Sequence, residues 1–327
     1  FDSIGSSAKR NTTSKFLAIR GFEFTKSFGH INVFNTEWFA QNGSLTDLYD
    51  SLSKDTNSIA QWNHPGEFYG EFESYGHYSA ELDRAINLME IMNFRRNTKY
   101  EEYYVRALEK GWHISPSANS DMHETDWITG YNWRTAILAD TLSQEGIFSA
   151  IRKHRTYATE DRNIRLYYTI NDSLMGSIIK NPAKINLKVD ISDPDKNDPM
   201  DKIALVEIIG RNGICVKSKA FDKHNVNWEI ELNLNNESDT YFYVRVTNAG
   251  SRIVVSAPIW IDFGKGLKEP YFPPEEIPAF TKPETYKIFD ISGRAVGYSA
   301  LQKRILFSRL HSGVFVNSSG SLINHVR

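Results

Sequence analysis

Residues 79–93 read "SAELDRAINLMEIMN", and this stretch decides the fold class. Its first part has the spacing of a helix, and its end, "LMEIMN" (88–93), is a short apolar run of strand type. Upstream lie "SIAQWNHPG" (58–66), a buried strand ending in a turn, and "SLTDLYDSLSK" (44–54), an amphipathic helix with Ser44 as N-cap. Before them, "FLAIRGFEF" (16–24) and "HINVF" (30–34) are aromatic and β-branched runs broken by glycine, so they read as short strands. Downstream come a helix in "TKYEEYYVRALEKGW" (98–112), a strand in "HISPSANSD" (113–121) and another helix in "LSQEGIFSAIRKHRTYAT" (142–159). Strands alternating with helices predict an α/β domain with a mainly parallel sheet over residues 1–162.

From residue 163 the pattern changes. "IRLYYTIN", "KINLKVDIS", "KIALVEIIG", "GICVKSKAF", "NWEIELNL", "TYFYVRVTN" and "RIVVSAPIWIDF" alternate in character and are separated by Asn, Asp and Gly turns. That pattern predicts an antiparallel β-sandwich over 163–263. Residues 264–284 are rich in proline and read as an extended linker, and 285–327 as a small β-rich C-terminal module.

With 327 residues the chain is longer than one core usually fills, which fits this division. A formal charge of −2 gives no electrostatic case for a nucleic-acid partner. No apolar stretch approaches the roughly 20 residues of a membrane span. The one cysteine, Cys215, excludes an intrachain disulfide and a thiolate metal cluster. The sequence begins "FDSIGSSAKRNTTSK", as if in mid-domain, which suggests a fragment or a processed chain.

Polar residues of the first domain recur at or after expected strand ends: Glu23, His30, His64, Glu90, and the pair Asp121 and His123 in "SANSDMH" (117–123). In a parallel α/β barrel such ends converge on one face. Asp, Glu and His are the donors of borderline divalent metals such as Zn, Mn or Fe. Each has an ordinary structural reading too, for example a turn-bonding histidine before Pro65. Glu23 between two phenylalanines resists one, because a carboxylate among apolar neighbours needs a partner. Arg134 and Arg155 are candidate contacts for a substrate anion, since a guanidinium fork suits phosphate oxygens. His77 lies in the aromatic loop "EFYGEFESYGHY" (67–78), which could cover a site, and His113 reads as packing.

The segments "RGFEFT", "GHINVFN", "NHPG", "MEIMN", "GW…NSDMH", "GYNWRTAIL" and "AIRKHRTYAT" together resemble the polymerase and histidinol phosphatase (PHP) metallohydrolases, most of all the CehA/McbA-like subgroup, over about residues 15–160. The resemblance implies a partial, distorted (β/α) barrel binding one to three divalent ions. It implies Glu23, His30, His64, Asp121 and His123 as metal ligands, Glu90 as a ligand or a residue orienting one, and Arg134 as the group that steadies developing charge. The reaction implied is hydrolysis of a small-molecule or surface phosphoester by metal-bound hydroxide. The family's opening H-x-H motif has no counterpart before Glu23, so either that part lies outside this sequence or the site is degenerate.

"YKIFDISGRAVG…LHSGVFV" (286–316) resembles the C-terminal sorting modules of bacterial type IX secretion, through Asp290, Gly293, Arg294, Leu310, Gly313, Val314 and Phe315. That implies a secreted or cell-surface protein whose C-terminal module engages export machinery. The expected function is an exported metal-dependent phosphoesterase. The rival is a non-catalytic surface structural or binding protein that retains a degenerate metal site. A carbohydrate-binding module, suggested by 16 Tyr, 7 Trp and the sandwich, stands behind both.

Overall fold

The computed structural model describes residues 1–66, 68–123, 130–234 and 240–264, together with the backbone of strands Ile305–Arg309 and Val314–Asn317. Five α-helices are described: α1 (Asp2–Asn11), α2 (Leu45–Lys54), α3 (Ala80–Ala85), α4 (Glu101–Glu109) and α5 (Gln144–Arg152). The strands of the N-terminal half are β1 (Phe16–Ile19), β2 (Gly21–Lys26), β3 (Gly29–Phe34), β4 (Ile59–Asn63), β5 (Ile86–Asn93), β6 (Thr98–Lys99), β7 (Ser115–Asn119), β8 (Arg134–Leu138) and β9 (Thr156–Thr159). The rest are β10 (Arg165–Ile170), β11 (Ser173–Leu174), β12 (Ile178–Lys180), β13 (Lys184–Ser192), β14 (Ile203–Ile209), β15 (Cys215–Lys223), β16 (Asn225–Asn233), β17 (Tyr241–Asn248), β18 (Ile253–Ser256), β19 (Ile259–Asp262), β20 (Ile305–Arg309) and β21 (Val314–Asn317). The protein is thus mixed α/β, with strands in three sheets outweighing the helices.

Six strands, β2 to β7, form the sheet that carries the candidate site. β4, β5 and β7 are parallel neighbours, whereas β2–β3, β3–β4 and β5–β6 pair antiparallel. The sheet is therefore mixed rather than mainly parallel, and among the described residues no sheet closes into a barrel. The cause is local: β2 and β3 are joined across only Ser27 and Phe28, and so short a turn can make only an antiparallel hairpin. Glu23, His30 and Glu90 accordingly lie within strands rather than at their C-terminal ends. His64, Asp121 and His123 do follow strand ends, as expected.

Strand register separates the faces of this sheet. Phe22 pairs with Val33 and Val33 with Ala60; Phe24 pairs with Ile31, and Ile31 with Trp62. These residues form one buried apolar face. The alternate positions place Glu23 opposite Asn32, Asn32 opposite Gln61, and His30 opposite Asn63. With a side-chain period of two, one face is apolar and the other polar. Helix α2 covers the apolar face with Leu45, Leu48, Tyr49 and Leu52, and the Trp62 indole donates to the Tyr49 hydroxyl at 3.0 Å. Ser44 caps α2 as expected: its Oγ accepts from the Asp47 amide, and its own amide donates to Asp47. Such a capping box contributes about 1 kcal/mol. Helix α1, which has no counterpart among the elements expected above, packs beside β1.

Six of the seven stretches expected as strands after residue 163 each hold one strand, and the seventh, "RIVVSAPIWIDF", is split into β18 and β19 at Ala257 and Pro258. β10, β11, β13 and β16 form one antiparallel sheet; β14, β15, β17 and β18 lie in another. Leu166, Tyr168, Leu187, Val189 and Trp228 of the first share a core with Val206, Ile208, Val244 and Val246 of the second, which is the arrangement of a β-sandwich. The second sheet runs on past residue 162, because β18 pairs with β9 and β9 with β8. β20 pairs with β8 and β21 with β1, so these C-terminal strands join the same sheet. Residues 265–304, which hold most of the expected linker and Asp290, Gly293 and Arg294, lie outside the described residues, as do Leu310 and Gly313.

Candidate metal centre

Three of the five expected ligands come together. One donor atom each of Glu23, His30 and His64 lies within 4.8 Å of the others. His64 Nε2 is 2.8 Å from His30 Nδ1, and His30 Nδ1 is 3.6 Å from Glu23 Oε1. The strand register explains the meeting. His30 is the second residue of β3, and because β3 runs antiparallel to β4, that end lies beside Asn63, where β4 ends and hands over to His64. Glu23 and His30 sit on the polar face of one hairpin.

His64 is the most constrained of the three. It is buried, with φ at +27°, outside the ordinary range for a side chain of its kind. Both its amide and its Nδ1 face Glu90 Oε2, at 2.7 and 2.9 Å. Burial pulls the His64 imidazole down, but the adjoining carboxylate of Glu90, with Asp121 and Glu23 behind it, outweighs burial and raises it. Glu90 is itself 1% exposed and also accepts from Asn93 Nδ2 at 3.2 Å. A one-residue irregularity at Ile91 interrupts the β5–β7 ladder beside it, a feature common next to functional sites. Glu90 thus positions a histidine through its second nitrogen.

Glu23 is held by a relay along the polar face. Asn63 Nδ2 donates to Glu23 Oε1 at 2.9 Å, Gln61 Nε2 to Asn63 Oδ1 at 2.8 Å, and Ser117 Oγ to Gln61 Oε1 at 2.9 Å. Gln61, Asn63 and Ser117 are buried. The sequence signal for this relay is the recurrence of polar residues at alternate positions, Gln61 and Asn63 in "IAQWN" and Ser115, Ser117 and Asn119 in "SPSAN". Asn32, opposite Glu23, is fully buried with neither amide atom hydrogen-bonded.

Asp121 and His123 stand beside the cluster without joining it. Asp121 Oδ2 accepts from Arg96 Nε at 3.0 Å and from Asn93 Nδ2 at 3.2 Å, and its Oδ1 lies 3.3 Å from His123 Nε2. The His123 side chain is 60% exposed. Arg96 is the residue that sequence reasoning missed. Its guanidinium lies over the Tyr69 ring at 3.9 Å and donates to the Tyr69 hydroxyl. Tyr69 packs edge-on against both His30 and His64, so this residue of the aromatic loop lies against the site. Gly70 makes this possible: with φ at +99° its backbone passes so close to that of Phe28 that a Cβ would collide.

Arg134 is placed on β8, buried, donating to the Trp133 carbonyl and lying over Tyr131. Burial, helped by Arg162, lowers its guanidinium to about 10. His77 pairs with Glu73, His113 with Asp83, and His154 with Ser115. Among the described residues no helix is long and apolar enough to cross a membrane.

The chain is 28% identical over 139 residues to an uncharacterized protein of Chlamydia pneumoniae, covering 39% of this chain and 22% of that protein. It is 22% identical over 266 residues to one of Chlamydia trachomatis serovar D, covering 78% of this chain and 40% of the other. It is 27% identical over 139 residues to one of Chlamydia muridarum, covering 39% and 22%. The chain therefore spans well under half the length of these curated relatives. No protein-family model matches it.

Proposed function

We propose that Glu23, His30 and His64 hold a divalent ion, zinc, manganese or iron, and that the chain is a metal-dependent hydrolase of phosphoesters. The observation that carries this reading is the orientation of His64. Glu90 occupies its Nδ1, which leaves the Nε2 lone pair directed to where His30 and Glu23 converge. Two imidazoles and one carboxylate are the donor set of catalytic sites that keep a position open for water or substrate. An ion there supplies Lewis acidity and lowers the pKa of a water.

The chain's own groups do the rest. Glu90 fixes the ring and tautomer of His64, and the Asn63–Gln61–Ser117 relay holds Glu23. The open side of the cluster, where Glu23 and His30 keep 26% and 21% of their side chains exposed, admits substrate. Arg96, at its rim, presents a guanidinium to a phosphoryl oxygen, a role its position suits better than that of Arg134. Asp121 and His123 are the donors left for a second ion. The resemblance of 286–316 to sorting modules supports action outside the cytoplasm, and fractionation of the native host would test it.

Elemental analysis of the purified chain, followed by hydrolysis of a chromogenic phosphodiester before and after chelation, tests the reading. Bound metal with turnover lost on chelation and regained with Zn, Mn or Fe supports it; a chain without bound metal that takes none up sinks it. The rival, a non-catalytic binding protein, is favoured by Arg96, which engages Asp121 in an ion pair rather than leaving it to a metal. Metal binding without turnover would select that rival.

A further inference from the structure

Far from the candidate centre, three acidic side chains converge where the N-terminal half meets the sandwich. Asp161 follows β9, Asp193 follows β13, and Asp201 ends the turn before β14. They are 3%, 0% and 4% exposed, and one carboxylate oxygen of each lies within 4.8 Å of the others. Arg252 Nη1 bonds Asp161 Oδ2 at 2.6 Å and Asp201 Oδ1 at 2.7 Å. Asp161 Oδ1 accepts the amides of Asn163 and Ile164, and Asp193 Oδ1 accepts that of Asp195. Asp193 Oδ2 is buried with no hydrogen-bond partner.

We propose that Asp161, Asp193 and Asp201 bind a hard divalent cation of calcium's kind, which ties the turn 193–201 to the end of β9. Three carboxylates against the one guanidinium that Asp161 and Asp201 share leave a formal excess of two negative charges, and buried charge is stable only when paired or coordinated. The divalent charge matches that excess. The spacing matches as well: oxygens bound to one calcium at about 2.4 Å lie at most about 4.8 Å apart. The donors are all carboxylate oxygens, which suit calcium or magnesium, and the irregular turn favours the flexible geometry of calcium. The unpartnered Asp193 Oδ2 is the oxygen left to face the ion, and Arg252 shares the outer carboxylates with it.

The test is calorimetric titration of the intact, chelator-treated chain with calcium chloride, paired with thermal melts. The expected result is one calcium per chain and a rise in Tm of about 4 °C at saturation. Asp193→Asn should weaken calcium binding at least tenfold and leave zinc uptake at the other cluster unchanged. Asp201→Asn serves the same purpose should the first variant fail to fold. His30→Ala with His64→Ala should keep the calcium response, which separates the two sites. Absence of calcium binding in the unaltered chain would overturn the proposal, as would full affinity in both Asn variants. A higher Tm for Asp193→Asn in calcium-free buffer, without any calcium response in the parent, would mean that Arg252 and a proton alone balance the cluster.

Discussion

The two ligand clusters are built on different physical principles. At Glu23, His30 and His64 each donor sits on the polar face of a sheet or just past a strand, and buried neighbours hold two of them: Glu90 on His64, Asn63 on Glu23. At Asp161, Asp193 and Asp201 the donors come from connections between strands, and like charges are forced together around one guanidinium. The first cluster is mixed in donor type, partly open, and ordered by hydrogen bonds. The second is all carboxylate, closed, and short of positive charge. On the proposals made above, the first would serve chemistry and the second fastening.

The sharpest way to break this contrast is to remove a donor from the first cluster. His64→Ala should abolish phosphodiester turnover and weaken zinc retention more than about 100-fold, while leaving calcium titration untouched; chelator competition measures it. Glu90→Gln removes only the acceptor that fixes His64 Nδ1, so metal affinity should fall about 10- to 100-fold. Equal retention by this variant and the parent would show that Glu90 does not position the ring. At the second cluster, Arg252→Gln leaves Asp161 and Asp201 facing one another without their shared counter-charge. It should cost about 2–3 kcal/mol in urea unfolding without calcium, and less with it.

A buried histidine away from both clusters provides the control. His154 is held at about 3 by burial, helped by the nearby His113. The unfolded chain takes up a proton near pH 6.5 and the folded chain resists it, so stability is full above that pH and falls as pH drops towards 3. Between pH 6.5 and 5 the loss should be about 2 kcal/mol by urea midpoint. His154→Asn, which suits the positive φ there, should flatten that slope and change neither metal affinity.

Much of the first cluster was legible because its residues break a rule that the surrounding sequence obeys. A carboxylate between Phe22 and Phe24 has no ordinary role on a buried strand, and His64, which alone reads as a turn residue after β4, gains weight beside it. The hairpin direction was harder to read, although the two-residue turn at Ser27 and Phe28 was its signal. Arg96 escaped notice because an arginine after a strand is ordinary until Asp121 and Tyr69 are seen around it. The acidic cluster left no local trace: Asp161 and Asp193 are far apart in the chain, and each alone reads as a turn residue.

By itself the sequence determined the alternation of helix and strand, the change to β structure after residue 163, and the cap at Ser44. These depend on neighbours within a few positions, where periodicity and backbone preference act. Only the tertiary structure decided that His30 meets His64 head to head, that Asp121 pairs with Arg96 instead of joining them, and that Asp193 lies beside two aspartates that share one guanidinium. Those outcomes depend on strand direction and register, which bring distant residues within a few ångströms and are fixed by packing across the whole sheet.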